Sequence, residues 1–100
     1  MSDIEDQIQH LHERTESNRR EFLRTELRTS SIAVEKARFE LSVGNTHEAE
    51  KEFVIASRGI QVIEKFLREA PSEIPEIEPK LASLRASVQS LKSELDTHPH

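Results

Sequence analysis

An all-α chain, folded as an antiparallel three-helix bundle with a long first helix and coiled-coil-like seams, is predicted by three observations. Apolar residues recur at alternating spacings of three and four along most of the sequence. Only two glycines interrupt 100 residues, and one of them sits in a stretch of turn chemistry, Gly44 to Ala49, between two long periodic runs. Prolines cluster at Pro71, Pro75 and Pro79, where a second connection is needed.

Helix 1 begins at Ser2, which has the capping-box spacing with Glu5, and its seam toward the next helix is Leu23, Leu27, Ser30, Val34, Ala37 and Leu41. Upstream, Ile4, Ile8, Leu11, Thr15, Asn18 and Phe22 keep the spacing but change phase. Such a shift marks a stutter or a helix break, expected at Thr15 to Asn18, where Asn18 and Glu21 form another capping pattern.

The turn follows from local chemistry. Gly44 stands where a left-handed residue closes a helix, and Asn45 with Glu48 has the spacing of a capping box that opens helix 2. In helix 2 the seam is Ala49, Phe53, Ala56, Ile60, Ile63, Leu67 and Ala70. A parallel stripe of Ile55, Gly59, Val62 and Phe66 widens the apolar arc, so helix 2 is expected in the middle, with helix 3 covering that stripe. Gly59 costs about 1 kcal/mol against alanine within a helix, which points to close approach of another backbone.

Residues 71–78 read as a stiff connector docked through Ile74 and Ile77, with Ile74 and Glu78 held extended by the prolines that follow them. Helix 3 then starts at Pro79 and carries Leu81, Leu84, Val88, Leu91 and Leu95. The single domain divides into a protruding arm (1–20), a hairpin (21–70), the connector (71–78) and a third helix (79–96). Length makes the arm stand out. At 1.5 Å per residue, helix 1 spans about 60 Å against about 36 and 27 Å for the other two. Pairing with another chain is the expected fate of the overhang, the alternatives being a fold back as a short fourth helix or a frayed arm, because an isolated helix of that length is marginal in water.

Composition narrows the function. Hydrophobic content of 34% gives a thin core, and 33% charged residues match the profile of long helices. Four phenylalanines without Trp or Tyr leave little aromatic surface to stack bases or flat cofactors. Absence of cysteine excludes disulfides and thiolate sites, and no run resembles a signal segment or membrane span, so a cytoplasmic setting is expected. The net charge of −5 is uneven: residues 1–13 carry −4, residues 14–38 carry +3 and residues 39–100 carry −4. Bulk nucleic-acid binding is disfavoured by the acidic total.

No catalytic, cofactor or metal constellation emerges. His10 and His12 lie two apart, on opposite sides of a helix, while His47, His98 and His100 read as solvated. The carboxylates fall on outward positions, so an enzyme, a cofactor and a small-molecule substrate are not expected. Two candidate interfaces remain: the arm residues Ile4, Ile8, Leu11 and Phe22, and a small-residue face of helix 3, Ala82 and Ala86 with Ser90 and Ser93. The Arg20, Arg24 and Arg28 ladder is the one charged surface that could hold an acidic partner or phosphates.

Gly44, Ala49, Phe53 and Ala56, with Ala37 seven residues before the glycine, have a spacing that resembles the turn and second helix of a tetratricopeptide repeat over about residues 33–61. Lys36 and Glu40 replace the large apolar residues of that pattern, Gln61 replaces its closing proline, and the unit occurs once. The hairpin also resembles that of the microtubule-interacting-and-transport domain. Both resemblances imply binding of peptides or helices of other proteins. The resulting expectation is a non-enzymatic interaction or oligomerisation module, a homodimer or the partner of another helical protein. The competing reading is a small regulator that contacts nucleic acid or an acidic partner through the Arg14–Arg28 surface.

Overall fold

A computed structural model describes residues 2–69 and 76–97, with side chains described from Ser17 onward. Three helices, α1 (Ser2–Ser42), α2 (Thr46–Glu69) and α3 (Ile77–Thr97), pack against one another, and the described residues include no strand. The particle measures 68 × 19 × 18 Å, its long axis set by the 41-residue α1.

α1 ends in a Schellman arrangement. Gly44 adopts φ +85°, its N–H donates to the Leu41 carbonyl at 3.1 Å, and the Asn45 N–H donates to the Glu40 carbonyl at 2.8 Å. The expected Asn45–Glu48 capping box does not form in full. The Asn45 N–H is already taken by Glu40, the Asn45 side-chain amide donates to the Glu40 carboxylate at 2.8 Å, and Lys51 engages Glu48 at 3.1 Å. Asn45 still opens α2, because its carbonyl accepts from the Ala49 N–H at 3.0 Å. Hydroxyls serve two helix ends that lack a basic last turn: Ser42 donates to the Phe39 carbonyl and Thr97 to the Glu94 carbonyl.

The seams are buried as the periodicity requires, except that Phe53, Leu67 and Val88 are only partly buried at the edge of the core. Leu23, Leu27, Ser30, Val34, Ala37 and Leu41 of α1 face Ala49, Ala56, Ile60 and Ile63 of α2, and Ile77, Leu81, Leu84, Leu91 and Leu95 of α3 close the core. Ala37, Ala49 and Ala56, three of the residues that carry the repeat-like spacing, are fully buried, and small side chains there let α1 and α2 approach closely.

Further expectations are refined. Of the two readings of the phase change at Thr15 to Asn18, the stutter within one helix holds and the break does not, since α1 runs from Ser2 to Ser42. A phase change in the apolar stripe demands a break only where a neighbour must be faced on both sides of it. Ser, Thr and Asn within a helix cost only about 0.7 kcal/mol each, less than giving up a turn of hydrogen bonds.

α3 starts at Ile77 instead of Pro79, so Glu78 is helical despite the following proline. The first turn has no helical acceptors for its N–H groups, which makes a proline inexpensive there, and burying Ile77 to 1% exposure draws that turn onto the core. Ile74, the other docking residue expected of the connector, and Ala70, at the end of the α2 seam, lie outside the described residues.

α2 touches both other helices, as its wide apolar arc requires, but it is not a middle helix between them, since α1 and α3 also pack together. Nor does α3 cover the second α2 stripe. Gly59 meets Ser30 and the Phe66 ring meets Phe22 at a centroid distance of 5.1 Å, so this flank belongs to α1, with Ile55 and Val62 left 45% and 43% exposed at its edge. α3 approaches the opposite flank, where Arg85 donates to Glu64 at 3.1 Å.

The close approach at Gly59 is real but comes from a side chain. A Cβ there would fall 1.8 Å from Ser30 Oγ, whereas the Glu26 carbonyl oxygen of the α1 backbone would be 3.9 Å away.

Candidate interaction surfaces

Beside the α1 seam, Arg24, Arg28, Ser31, Glu35 and Arg38 recur at four, three, four and three, and Lys80, Ser83 and Ser87 do the same beside the α3 seam. Because the two helices pack together, these polar stripes become the walls of one groove of about 440 Å³, floored by Leu27, Val34 and Leu84. Its lining holds four cations, Arg24, Arg28, Arg38 and Lys80, against one carboxylate, Glu35.

Two of those cations are engaged at the rim. Arg24 donates to Glu76 through Nε at 3.2 Å and Nη2 at 2.6 Å, tying α1 to the residue that precedes α3. The Arg24 hydrogen bond, aided by a backbone hydrogen bond at Glu76 itself, holds the Glu76 carboxyl below its ordinary value. Arg38 lies 3.9 Å from Glu94 and reaches the Ser87 carbonyl at 3.5 Å. Arg28 and Lys80 form no ion pair among the described residues. Lys80 acts on Glu76 through its charge, but the lining still carries an excess of cations over the one carboxylate, Glu35, so the groove is electrostatically suited to an acidic segment.

The Arg20, Arg24 and Arg28 ladder therefore divides. Arg24 and Arg28 line this groove, whereas Arg20 is exposed outside its lining. Arg38 and Lys80 were missed by sequence reasoning. Their signal was a polar stripe at heptad spacing beside each apolar seam, which is visible once both helices are aligned.

The Phe22 ring, placed by its spacing on the arm stripe, lies against Phe66 and remains 37% exposed. The side chains of Ile4, Ile8 and Leu11 lie outside the described residues, although their backbone belongs to α1. Ala82, Ala86, Ser90 and Ser93 are all exposed, on a face of α3 away from the groove.

A further apolar stripe had not been anticipated. Ile32 and Phe39 of α1 and Val43 just past its end, spaced seven and four, are 43%, 63% and 54% exposed. Phe39 borders a second groove whose charged lining is Glu35, Lys36, Glu40, Glu48 and Glu52, the acidic counterpart of the first. Among the described residues, no three His, Asp or Glu side chains gather to hold a metal, His47 is exposed, and no helix is long and apolar enough to cross a membrane. His10, His12, His98 and His100 fall outside the residues whose side chains are described.

No family model, curated protein or solved structure matches the chain.

Proposed function

We propose that this chain is a non-enzymatic helical interaction module of the cytoplasm that assembles, most simply as a homodimer, through the N-terminal part of α1. The observation that carries this reading is the mismatch in helix length. α1 has 41 residues where α2 and α3 have 24 and 21. Since α2 runs antiparallel from the turn at Gly44, about 17 residues of α1, or about 25 Å, extend past the end of the hairpin.

That extension carries Ile4, Ile8 and Leu11 at helical spacing. A single helix of this length gains too little from its own hydrogen bonds to stay ordered alone, so its apolar stripe is best used against another helix. The repeat-like spacing around the hairpin adds weight to an interaction role.

Sedimentation equilibrium of the full chain tests the proposal. A dimer is expected at micromolar concentration, and Ile4→Asp, Ile8→Asp and Leu11→Asp together should yield a monomer whose bundle melts as a folded unit. A wild-type chain that stays monomeric throughout that range would contradict it.

A further inference from the structure

We infer that the middle of the α1–α3 groove is a phosphate site, which takes a phosphomonoester or a small polyphosphate from solution independently of how the arm assembles. The register of the two helices makes the site. Arg24 reaches Glu76 and Arg38 reaches the Ser87 carbonyl, 52 and 49 positions further on, so α1 and α3 run in the same direction. Lys80 stands 52 positions after Arg28, and Ser83 52 after Ser31, which is the offset of the Arg24–Glu76 pair. Lys80 is therefore level with Arg28, and Ser83 with Ser31, and all four line the groove.

Charge argues that an anion belongs there. Arg24 and Arg28 are a like-charge pair four residues apart on one helix, which is destabilising by itself, and Lys80 adds a third cation at the level of Arg28. Glu76 answers Arg24 directly and acts on Lys80 through its charge. Arg28 has no such neighbour. The residues three and four positions from it are Arg24, Thr25, Ser31 and Ile32, and the carboxylate of the groove lining, Glu35, lies two helical turns away.

The kind of anion follows from the shape and chemistry of the walls. Leu27, Val34 and Leu84 floor the groove but are all buried, so an amphipathic helix would find little apolar surface left to cover. Affinity must come from charge-assisted hydrogen bonds. A phosphate brings about −1.5 to −2 of charge at neutral pH and three acceptor oxygens, enough to engage a guanidinium, an ammonium and two hydroxyls together. A lone carboxylate is satisfied by one arginine, as Glu76 is by Arg24. The groove volume of about 440 Å³ is that of a small-ligand site.

NMR titration of the full chain with inorganic phosphate and with pyrophosphate, at ionic strength held constant with chloride, tests the site. Saturable shifts are expected at the Arg28, Ser31, Lys80 and Ser83 amides, with the more highly charged pyrophosphate binding more tightly. Arg28→Gln with Lys80→Gln should weaken binding by roughly tenfold or more, because two charge-assisted hydrogen-bond donors are lost. Ser31→Ala with Ser83→Ala, which keeps both charges, should weaken it by a smaller factor and decides the matter should the first pair fail to fold.

Shifts that never saturate, or that survive both pairs of substitutions unchanged, would overturn the site. Poly-glutamate that binds as tightly as pyrophosphate at matched charge would overturn it in favour of an acidic protein segment. Binding to vesicles of phosphatidylcholine and phosphatidic acid, without binding to soluble phosphate, would overturn the soluble ligand in favour of a lipid headgroup.

Discussion

Replacing Gly59 with alanine probes the tightest point of the α1–α2 contact. Alanine is favoured over glycine in a helix by about 1 kcal/mol, so at an open position the change would stabilise the protein. Here the new Cβ would sit 1.8 Å from Ser30 Oγ and 3.1 Å from Ser30 Cβ. The hydroxyl can rotate about χ1, but the Ser30 Cβ is fixed to the backbone of a residue only 1% exposed, so the helices must separate locally. Overpacking of this kind costs about 1–3 kcal/mol. Set against the propensity gain of about 1 kcal/mol, a net loss of up to about 2 kcal/mol is expected, or about 4–8 °C in Tm for each kcal/mol in a domain of this size.

The control is the same substitution in a Ser30→Ala background. Removing the hydroxyl eliminates the closest contact and leaves the 3.1 Å one, so Gly59→Ala should cost at least about 0.5 kcal/mol less there. Thermal and urea melts followed by circular dichroism at 222 nm supply the four stabilities. A Gly59→Ala chain that melts above wild type, or a penalty identical in both backgrounds, would refute the contact as described.

Three further outcomes follow from the same geometry. Ile63, which is fully buried between the helices, should cost about 2–5 kcal/mol on truncation to alanine, measured by urea denaturation. Gly44→Ala should cost about 1–2 kcal/mol from its φ of +85° alone, because no atom lies within 4 Å of the added methyl; the same melts read it. The Glu76 carboxyl titrates below its ordinary value of 4.5, so the Arg24 pair should contribute stability above that pH and lose it as pH falls through the folded-state pKa; in Arg24→Gln, NMR titration should find the Glu76 value raised toward 4.5.

Much of the bundle was legible because burial follows a simple period. Leu23 to Leu41, Ala49 to Ile63 and Leu81 to Leu95 were identified by spacing, and the turn by the one position that needs a left-handed residue. What the period could not supply was the partner of each flank. Gly59 and Phe66 were legible as a stripe, but that they face Ser30 and Phe22 of α1, and not α3, depends on which side of the hairpin the third helix settles. The start of α3 was misplaced because the bias of a residue before proline is weaker than the burial of Ile77. The basic groove was half legible. Arg24 and Arg28 stood out as a ladder, while Arg38 and Lys80 join them only through the docking of α3 on α1.

Amide hydrogen exchange of the full chain, read residue by residue at several protein concentrations, tests the central claim most directly. If the arm owes its helix to a second copy, amides of residues 2–16 should be protected when the chain is dimeric and lose that protection on dilution, while those of the Leu23–Leu41 and Ile60–Ile63 seams stay protected throughout. Arm protection that is absent at every concentration, or that persists unchanged on dilution to the monomer, would contradict the account.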